Sequence, residues 1–397
     1  MPETAVDRTP AISELSSRIW TRPATSRCLP GAGEIGTEDP SLRSGGQHPA
    51  SELHPDYYPP MFPAKRRLGV IGTFVWDVIY GRDARAVPIE EWGGISYALA
   101  GLDAALPDDW EIVPIIKVGS DLGARAQTFF RSLKHAAPDA ALVEVAAPNQ
   151  RVELRYHTED RRSEFLSGGV PGWSWVGLKP LLDLARIDAL YVNFLSGWEL
   201  DLPTMQMLRH HFAGPIYCDL HMKVMAVQPN GLRTPQPLPN VAEWCGCFDF
   251  LQVNEDEMAM MAPDPMALSA TAMAAGVSCL VVTLARRGAV YFAAPGFESI
   301  ADLPRRGGLS TGPRGATGAL GALRTALVPA VPARVAQGAG DPTGCGDVWG
   351  ATYFSRLIAG DRVDDALHAA HRAASRNVEH RGATGLANFL RGELSLR

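Results

Sequence analysis

From Arg67 onward, runs of apolar residues alternate with stretches in which apolar residues recur at helical spacing. The runs favour buried strands because they stay apolar throughout, and the first is expected to continue unbroken from Leu68 to Asp77. The other expected strands are Ile112 to Val118, Ala189 to Phe194, Ile216 to Asp219, Phe248 to Val253 and Cys279 to Leu284. Such strands, alternating with helices, predict an α/β fold with a mostly parallel sheet covered on both faces. Ligands in such folds bind at the carboxyl ends of the strands.

The helical patterns lie between these strands and near the end of the chain. They cover Ala124 to Leu133, Leu202 to His211, Glu255 to Met261, Val348 to Ala359 and Val363 to His380. One region breaks the alternation of strands and helices, because Arg151 to Phe165 alternates polar and apolar residues. This pattern predicts a half-exposed strand or hairpin in a small accessory sheet.

Two segments carry no sustained hydrophobic period. Residues 1–64 are rich in Pro, Ser, Gly and charge, and we interpret them as a disordered extension. Within them, Gly31 to Gly36 has the GxGxxG spacing of a dinucleotide site, but neither a strand nor a helix flanks it, so it is interpreted as a chance match. Residues from about 303 to 326 are rich in Gly, Arg and Thr and are expected to form a flexible insertion.

The composition narrows the class of protein. The chain has 397 residues, of which 46% are hydrophobic and 20% charged, which is enough for a sizeable core. No apolar stretch approaches the roughly 18 residues of a membrane helix and no secretory signal is apparent, so we expect a cytoplasmic protein without a membrane partner. A net charge of -6 without a basic patch argues against a nucleic-acid partner. The six cysteines lack metal-ligand spacing, so neither disulfides nor structural zinc are expected, and Cys245 and Cys247 are interpreted as buried thiols.

The most informative motif is Asp341 to Asp347, Asp-Pro-Thr-Gly-Cys-Gly-Asp, which leads directly into a predicted helix. Its two glycines allow a tight turn with inward-facing amides, and the helix adds free N–H groups and a positive dipole end. Together these features predict an anion site. Asp347 would stand beside the anion, where a carboxylate can act as the base in phosphoryl transfer. The alternative is that Asp347 only caps the helix.

This motif resembles the DTTGAGD signature of the PfkB, or ribokinase-like, carbohydrate kinase family, with Cys345 in place of the usual Ala. Further stretches resemble motifs of that family in the family's order, and they are Trp92 to Gly94, Lys117 to Gly123, Asp219 to Lys223, Asn254 to Glu257 and Val282 to Gly288. The resemblance covers about residues 67 to 390. It implies a three-layer α/β/α sandwich over residues 65–397, with a small β lid contributed by about residues 78–92 and 148–168.

The resemblance also implies roles for single residues around the phosphates. Asp347 would be the catalytic base of an ATP-dependent kinase, and Gly344 to Gly346 would form the anion hole for the transferring phosphate. Asn254 and Glu257 would organise Mg²⁺, in part through water, and the physical chemistry agrees because hard cations prefer oxygen ligands. The alternative for Asn254 and Glu257 is a capped helix start with solvated acids.

The nucleotide and the acceptor would have separate contacts. The residues implied to line the nucleotide are Thr283, Gly288 and Asn377. Those implied to hold a small-molecule substrate through its hydroxyls are Asp77, Gly93 and Gly94, although Asp77 could instead be a strand-end turn residue. A monovalent cation such as K⁺ beside Asp341 and a homodimer paired through the lid are further implications of the resemblance.

The chain departs from the family pattern in ways that leave the substrate open. Ala98 stands where sugar kinases of the family carry Asn, and Ala285 replaces the middle glycine of the nucleotide loop. His221 and Lys223 stand where Asn and Arg are common. A sugar or sugar-like acceptor therefore has a nucleoside as its alternative, and a non-catalytic regulator that binds nucleotide or sugar is the rival from another class.

Two further expectations concern the chemistry of the motif. A P-loop kinase is disfavoured because no GxxxxGK[ST] occurs in the chain. Cys345 lies near a predicted helix N-terminus, and we expect this position to lower the pKa of its thiol.

Overall fold

The structure is a computed structural model that describes residues 64–81, 87–157, 162–303, 322–335 and 340–393. From Lys65 onward the chain forms one compact unit. The expected extension lies outside the described residues except for Ala64, and so does its GxGxxG stretch. Residues 82–86 and 158–161 of the expected lid, and 304–321 of the expected insertion, lie outside them as well.

Strands make up the centre of the fold. In chain order the described strands are β1 (Arg66–Ile71), β2 (Phe74–Tyr80), β3 (Ile89–Gly94), β4 (Trp110–Ile115), β5 (Lys117–Gly119), β6 (Val143–Val145), β7 (Gln150–Tyr156), β8 (Arg162–Ser167), β9 (Ala189–Asn193), β10 (Ile216–Asp219), β11 (Met225–Val227), β12 (Arg233–Pro235), β13 (Phe250–Asn254), β14 (Cys279–Thr283), β15 (Ala289–Ala293) and β16 (Arg324–Val328). β16 begins at Arg324, within the range expected to be an insertion.

The central sheet has the strand order β16-β15-β14-β13-β10-β9-β1-β4. Its strands from β14 to β4 run parallel, whereas β15 and β16 are antiparallel additions at one edge. In this sheet Leu68 of β1 lies opposite Ile112 of β4 and Ala189 of β9. The mostly parallel sheet predicted from the fully apolar strands is therefore confirmed.

Helices connect the strands. The described α-helices are α1 (Ile95–Ala105), α2 (Gly123–Arg131), α3 (Trp175–Ala185), α4 (Leu202–His211), α5 (Val241–Cys245), α6 (Glu255–Ala259), α7 (Pro265–Ala275), α8 (Cys345–Ile358), α9 (Val363–Val378) and α10 (Leu386–Leu390). Short 3-10 helices cover His221–Val224, Ala285–Arg287 and Ile300–Asp302.

The helices pack on both faces of the central sheet. On one face, Ile112 of β4 belongs to the main core cluster, which includes residues of α1, α8 and α9. Val113 points to the opposite face because successive strand residues alternate, and there it packs with Ala185 of α3. The fold is thus the three-layer α/β/α sandwich that the sequence predicted.

A second sheet of four strands, in the order β3-β2-β7-β8, stands apart from the central sheet, and we call it the small sheet. It contains β2, although Leu68 to Asp77 was expected to form one strand. That expectation is wrong, because Gly72 and Thr73 interrupt the strand. The Thr73 carbonyl accepts the N–H of Ile95, and the Thr73 hydroxyl donates to the buried Glu199 at 2.7 Å. The chain therefore leaves the central sheet there, and Asp77 lies inside β2.

Among the described residues, no helix has the length and apolar character needed to cross a membrane.

The contact between α1 and α8 gives a test of the packing. A Cβ added at Gly101 of α1 would lie 2.9 Å from the Cβ of Ala351 in α8. We expect Gly101→Leu to lower the free energy of unfolding by about 1–3 kcal/mol, because it forces the two helices apart. Urea denaturation of the full chain measures this change.

Gly177→Leu in α3 is the matched control. The nearest atom to a Cβ at Gly177 is 3.6 Å away, and the residue is exposed. The control should leave stability unchanged or raise it by up to about 1 kcal/mol through helix propensity. Equal losses in both variants would contradict the close packing of α1 on α8.

Candidate active site

The carboxyl ends of neighbouring parallel strands carry polar residues. β9, β10, β13 and β14 end at Asn193, Asp219, Asn254 and Thr283, respectively. Asn193 lies opposite Asp219 in the ladder, and Asn254 lies opposite Thr283. Since these four strands are parallel, their last residues share one edge of the sheet. This is the edge at which the fold class predicts a ligand site.

The N-terminus of α8 lies at the same edge. Gly344, the N-cap, has a φ of 73°, in the left-handed region that favours glycine. A Cβ there would lie 2.1 Å from the Tyr97 ring, so only glycine lets the loop close over α1. Asp347 follows in the first turn of the helix, and its Oδ1 accepts a hydrogen bond of 2.7 Å from Asn193 Nδ2. The structure thus joins the motif to the end of β9.

Gln252 connects the motif to the next strands. Its Nε2 donates to the Gly346 carbonyl at 3.2 Å and to Asp219 Oδ2 at 3.1 Å. The first N–H groups of α8 have no partner within the helix, and its 14 residues align their dipoles behind them. The arrangement suits an anion beside Gly344 to Gly346.

Burial raises the pKa of Asp347, against the opposing effects of nearby His221 and the hydrogen bond from Asn193. Burial also raises the pKa of Asp219 well above its ordinary value, and repulsion by Glu257 adds to this shift. A carboxylate whose pKa is raised accepts a proton more readily than an exposed one. Asp347 therefore has the location and the basicity that proton transfer beside a bound anion needs.

Asn377 lies beneath the loop. It is 1% exposed, and its Nδ2 donates to the Thr343 carbonyl at 2.8 Å and contacts Cys345 Sγ at 3.2 Å. In this position Asn377 holds the loop in place. The contact with nucleotide that the resemblance implies for Asn377 stays a prediction.

Cys345 corrects another expectation. Burial raises the pKa of its thiol to about 11, whereas the helix N-terminus was expected to lower the pKa. The carboxylates of Asp341 and Asp347 add to the rise, so the thiol stays protonated at neutral pH.

Asn254 and Glu257 form a capping box at the start of α6. The Asn254 Oδ1 accepts the Glu257 N–H at 2.9 Å, and Glu257 Oε2 accepts the Asn254 N–H at 2.9 Å. The capped helix start of the alternative is therefore observed, but Glu257 is buried and is not a solvated acid. Glu257 Oε1 also lies 3.1 Å from His221 Nδ1, so the carboxylate faces the site as well as the helix.

His221 begins the 3-10 helix after β10, and its φ of 33° lies in the left-handed region. Burial alone would lower the pKa of this imidazole, but Glu257, Asp219 and Asp347 outweigh burial and raise the pKa to about 10. The side chain keeps 31% of its surface exposed. His221 is thus a cation among three carboxylates. We expected only that it replaces an Asn.

The turn after β14 carries the other residues assigned to nucleotide. Gly288 is buried with a φ of 107°, and a Cβ there would lie 2.0 Å from the Val328 carbonyl oxygen. Ala285 has a φ of 48°, a conformation that costs a non-glycine residue about 1–2 kcal/mol. Thr283 stays half-buried at the end of β14. Gly288 therefore has a structural role in bringing β15 back beside β14.

The small sheet contributes carboxylates. Asp77 of β2 lies opposite Glu91 of β3, and a Cβ at Gly93 would lie 1.9 Å from Asp77 Oδ2. Gly94 has a φ of 59° and leads into α1. Burial raises the pKa of Glu91, and Asp341 adds to this rise by repulsion. Asp77 and Glu91 thus bring two carboxylates to one face of the small sheet.

Tyr97 connects the small sheet to the motif. It is 2% exposed, and burial, followed by Glu91 and Asp341, raises the pKa of its hydroxyl. Neither Tyr97 Oη nor Glu91 Oε1, both buried, has a hydrogen-bond partner among the described residues. The two oxygens are therefore buried polar atoms next to the motif, and Asp341 acts on both groups electrostatically.

The site contains residues to which the sequence motifs gave no role. The motifs contain Asp219 and His221, but we gave neither a role, and Asn193, Gln252, Glu91 and Tyr97 were not considered. Asn193 could have been found, because it is a polar residue near the end of a fully apolar strand. Glu91 and Tyr97 flank the Gly-Gly motif, and only the pairing of β3 with β2 shows where Glu91 points.

The architecture and this site together define a protein with the ribokinase-like fold, and the resemblance inferred from the motifs is confirmed at the level of the fold. Solved structures of several kinases are similar to it. A Burkholderia thailandensis nucleoside kinase in complex with inosine superimposes with a TM-score of 0.56, at 15% identity over 81% of this chain and 94% of that one.

Two other solved structures are similar to the same extent. A pyrophosphate-dependent kinase of the ribokinase family, with a pyrophosphate analogue and myo-inositol, gives 0.56 at 16% identity over 79% and 96% of the two chains. Arabidopsis thaliana ribokinase with ribose and ATP gives 0.55 at 14% identity over 83% and 99%. No protein-family model and no curated protein matches the sequence.

The cation at His221 gives a test of the site's electrostatics. Its pKa in the folded protein, about 10, lies above the ordinary value of 6.5. Its contribution to stability is therefore fully present below pH 6.5 and is lost as the pH rises through about 10. We expect the free energy of unfolding of metal-free protein to fall less over this range in His221→Asn than in the unsubstituted chain.

Urea denaturation at several pH values, in the presence of EDTA, measures this difference. His210→Asn, at an exposed position in α4, is the control and should keep the pH dependence of the unsubstituted chain. If His221→Asn also kept the pH dependence of the unsubstituted chain, the three carboxylates would not hold a proton on His221.

Proposed function

We propose that this protein is a phosphotransferase that moves the terminal phosphoryl group of ATP to a hydroxyl of a sugar or sugar-like small molecule. One observation carries the proposal: a carboxylate, Asp347, stands in the first turn of α8 beside Gly344 to Gly346 and is oriented by Asn193. A base next to an anion site is the arrangement that phosphoryl transfer to a hydroxyl needs.

The proposed chemistry depends mainly on positioning. The amides at the start of α8 hold the transferring phosphate, and Asp347 takes the proton of the attacking hydroxyl. Asn193 keeps Asp347 in place through the 2.7 Å hydrogen bond, and Gln252 fixes the Gly346 carbonyl. Since Asn377 holds Thr343 from below, the loop is ordered before a phosphate binds.

A divalent cation fits the same edge of the sheet. Glu257 and Asp219 are buried carboxylates that face each other across His221, and Asn254 fixes Glu257 through the capping box. Mg²⁺ bound there would neutralise charge on the donor phosphates. The Asn254 amide oxygen is already an acceptor within the cap, which makes Glu257 the stronger candidate ligand of the two.

The face of the small sheet that carries Asp77 favours a hydroxyl-rich acceptor. Asp77 and Glu91 share this face as an opposing pair, and carboxylates accept hydrogen bonds from vicinal hydroxyls. The aromatic pair Trp76 and Trp92 occupies the other face, because side chains alternate along a strand, and packs against Phe129. A sugar or polyol is therefore preferred to a nucleoside, the acceptor class of one neighbour.

Pyrophosphate is a second candidate donor. One neighbour is a pyrophosphate-dependent kinase, and in this chain the turn assigned to nucleotide carries Ala285 in a left-handed conformation where the family has glycine. The anion hole would serve either donor, because both present a terminal phosphoryl group. Donor choice therefore belongs in the first assay.

The decisive experiment measures phosphoryl transfer from ATP and from pyrophosphate to a panel of sugars, polyols and nucleosides. We expect turnover with one acceptor class and a loss of about 10²–10⁴-fold in kcat for Asp347→Ala, the usual contribution of a general base. Binding of the donor to the variant, measured by calorimetry, should persist because the amides of α8 remain.

Asp365→Ala is the matched control, since Asp365 also lies in the first turn of a helix, α9, but is exposed. It should keep full turnover. Unchanged turnover in Asp347→Ala would overturn the role of the base. Donor binding without turnover on any acceptor would favour the alternative, a non-catalytic regulator that binds nucleotide or sugar.

A further inference from the structure

We propose that His221 is a direct ligand of the divalent cation in this site, and that it makes the site prefer transition-metal ions such as Mn²⁺ to Mg²⁺. The inference deepens the proposed function, on which it rests for the use of the ion. The observation that supports the inference is separate from the one that supports the proposed function. The ligand atoms of Asp219, His221 and Glu257 all lie within 4.8 Å of one another. Among the described residues, this is the group of three side chains suited to holding a metal ion.

The spacing fits a common coordination sphere. Two ligands bonded to one ion at about 2.1 Å are about 3.0 Å apart when adjacent and about 4.2 Å apart when opposite. His221 Nδ1 and Glu257 Oε1 are 3.1 Å apart, which is the adjacent spacing. The largest separation, 4.8 Å or less, therefore needs a movement of only about half an ångström.

The surroundings hold these side chains in place. Asp219 and Glu257 are buried, and each is fixed by a hydrogen bond, Asp219 from Gln252 and Glu257 from the Asn254 backbone. His221 keeps a φ of 33°, although it is not a glycine. Residues in such conformations concentrate at functional sites, because the surrounding structure must impose the conformation.

The chemistry of the donor set determines which ion it selects. Carboxylate and water ligands suit Mg²⁺, whereas imidazole favours transition metals, whose affinities rise from Mn²⁺ toward Cu²⁺. Replacing an oxygen ligand by the His221 nitrogen therefore shifts the preference away from Mg²⁺. A metal ion binds the neutral imidazole, so a proton that His221 carries in the metal-free protein is released to solvent when the ion binds.

The test measures metal binding in the absence of donor and acceptor, so it does not depend on turnover. Full-length protein freed of metal by EDTA is titrated with Mn²⁺, and the loss of the free Mn²⁺ signal in electron paramagnetic resonance gives the affinity. We expect Mn²⁺ to bind at least about tenfold more tightly than Mg²⁺. The affinity for Mg²⁺ is measured by competition with Mn²⁺. Pulsed resonance of the bound ion should show the nitrogen coupling of a coordinated imidazole.

His221→Asn is the informative variant, because Asn tolerates the left-handed backbone better than other residues with side chains. It should lose the nitrogen coupling and at least about tenfold in Mn²⁺ affinity, while its Mg²⁺ affinity changes less. His210→Asn, on an exposed helix face, should keep both properties and controls for binding to surface histidines.

Several outcomes separate this proposal from the proposed function. A Mn²⁺ site without nitrogen coupling in the unsubstituted protein would overturn the role of His221 whatever the variants do. A coupling lost in His210→Asn would place the ion elsewhere. Asp347→Ala should bind Mn²⁺ with the same nitrogen coupling. An unsubstituted chain that shows the coupling but turns over no acceptor would contradict the phosphotransferase and keep the metal site.

Discussion

The close approach of the N-terminus of α8 to the carboxyl ends of β9, β10 and β13 is the constraint on which the site depends. Gly344 makes it possible, because any side chain there would collide with Tyr97. Gly350 makes it closer, since a Cβ at that position would lie 2.1 Å from the Tyr217 hydroxyl. Gln252 and Asn193 then bond the helix to the strand ends. These two glycines in the sequence therefore permit the close approach of α8 to the strand ends.

That approach concentrates negative charge. Asp219, Glu257 and Asp347 come together at one edge of the sheet, and burial raises the pKa of two of them, Asp219 and Asp347. His221 balances part of this charge in the free protein. In the proposed function, a phosphate donor would bring further negative charge, and a cation bridging protein and donor would offset it. The arrangement of the carboxylates therefore supports the proposed metal site.

Much of the fold was predictable because it is encoded locally. Fully apolar runs marked the parallel strands, and the glycines of the Asp341 to Asp347 motif marked the start of α8. The break at Gly72 was not predictable, since it depends on Glu199, far along the chain, accepting a hydrogen bond from Thr73. Because the run is almost entirely apolar, its sequence does not mark the point at which the chain leaves the central sheet.

The site was predictable only where a motif is contiguous. Asp347 and Gly344 lie in one motif, and the structure brings both to the sheet edge. Asn193 and Gln252 reach Asp347 and Gly346 only through the register of the strands, which sequence spacing does not contain. Asn377 contacts the loop from a helix some thirty positions later, so its hydrogen bond to Thr343 required the packing of α9 on α8. Residues that position others escape motif analysis for this reason.

The proposed function accounts for the cost of the arrangement in stability. This edge of the sheet keeps two buried acids with raised pKa values, and it includes two of the four described non-glycine residues with positive φ, His221 and Ala285. Each of these features lowers stability, by about 1–3 kcal/mol for a strained backbone. A protein that only bound a sugar or nucleotide would gain stability by replacing Asp347 with an amide. Retaining a basic carboxylate beside an anion site is explained when that carboxylate accepts a proton.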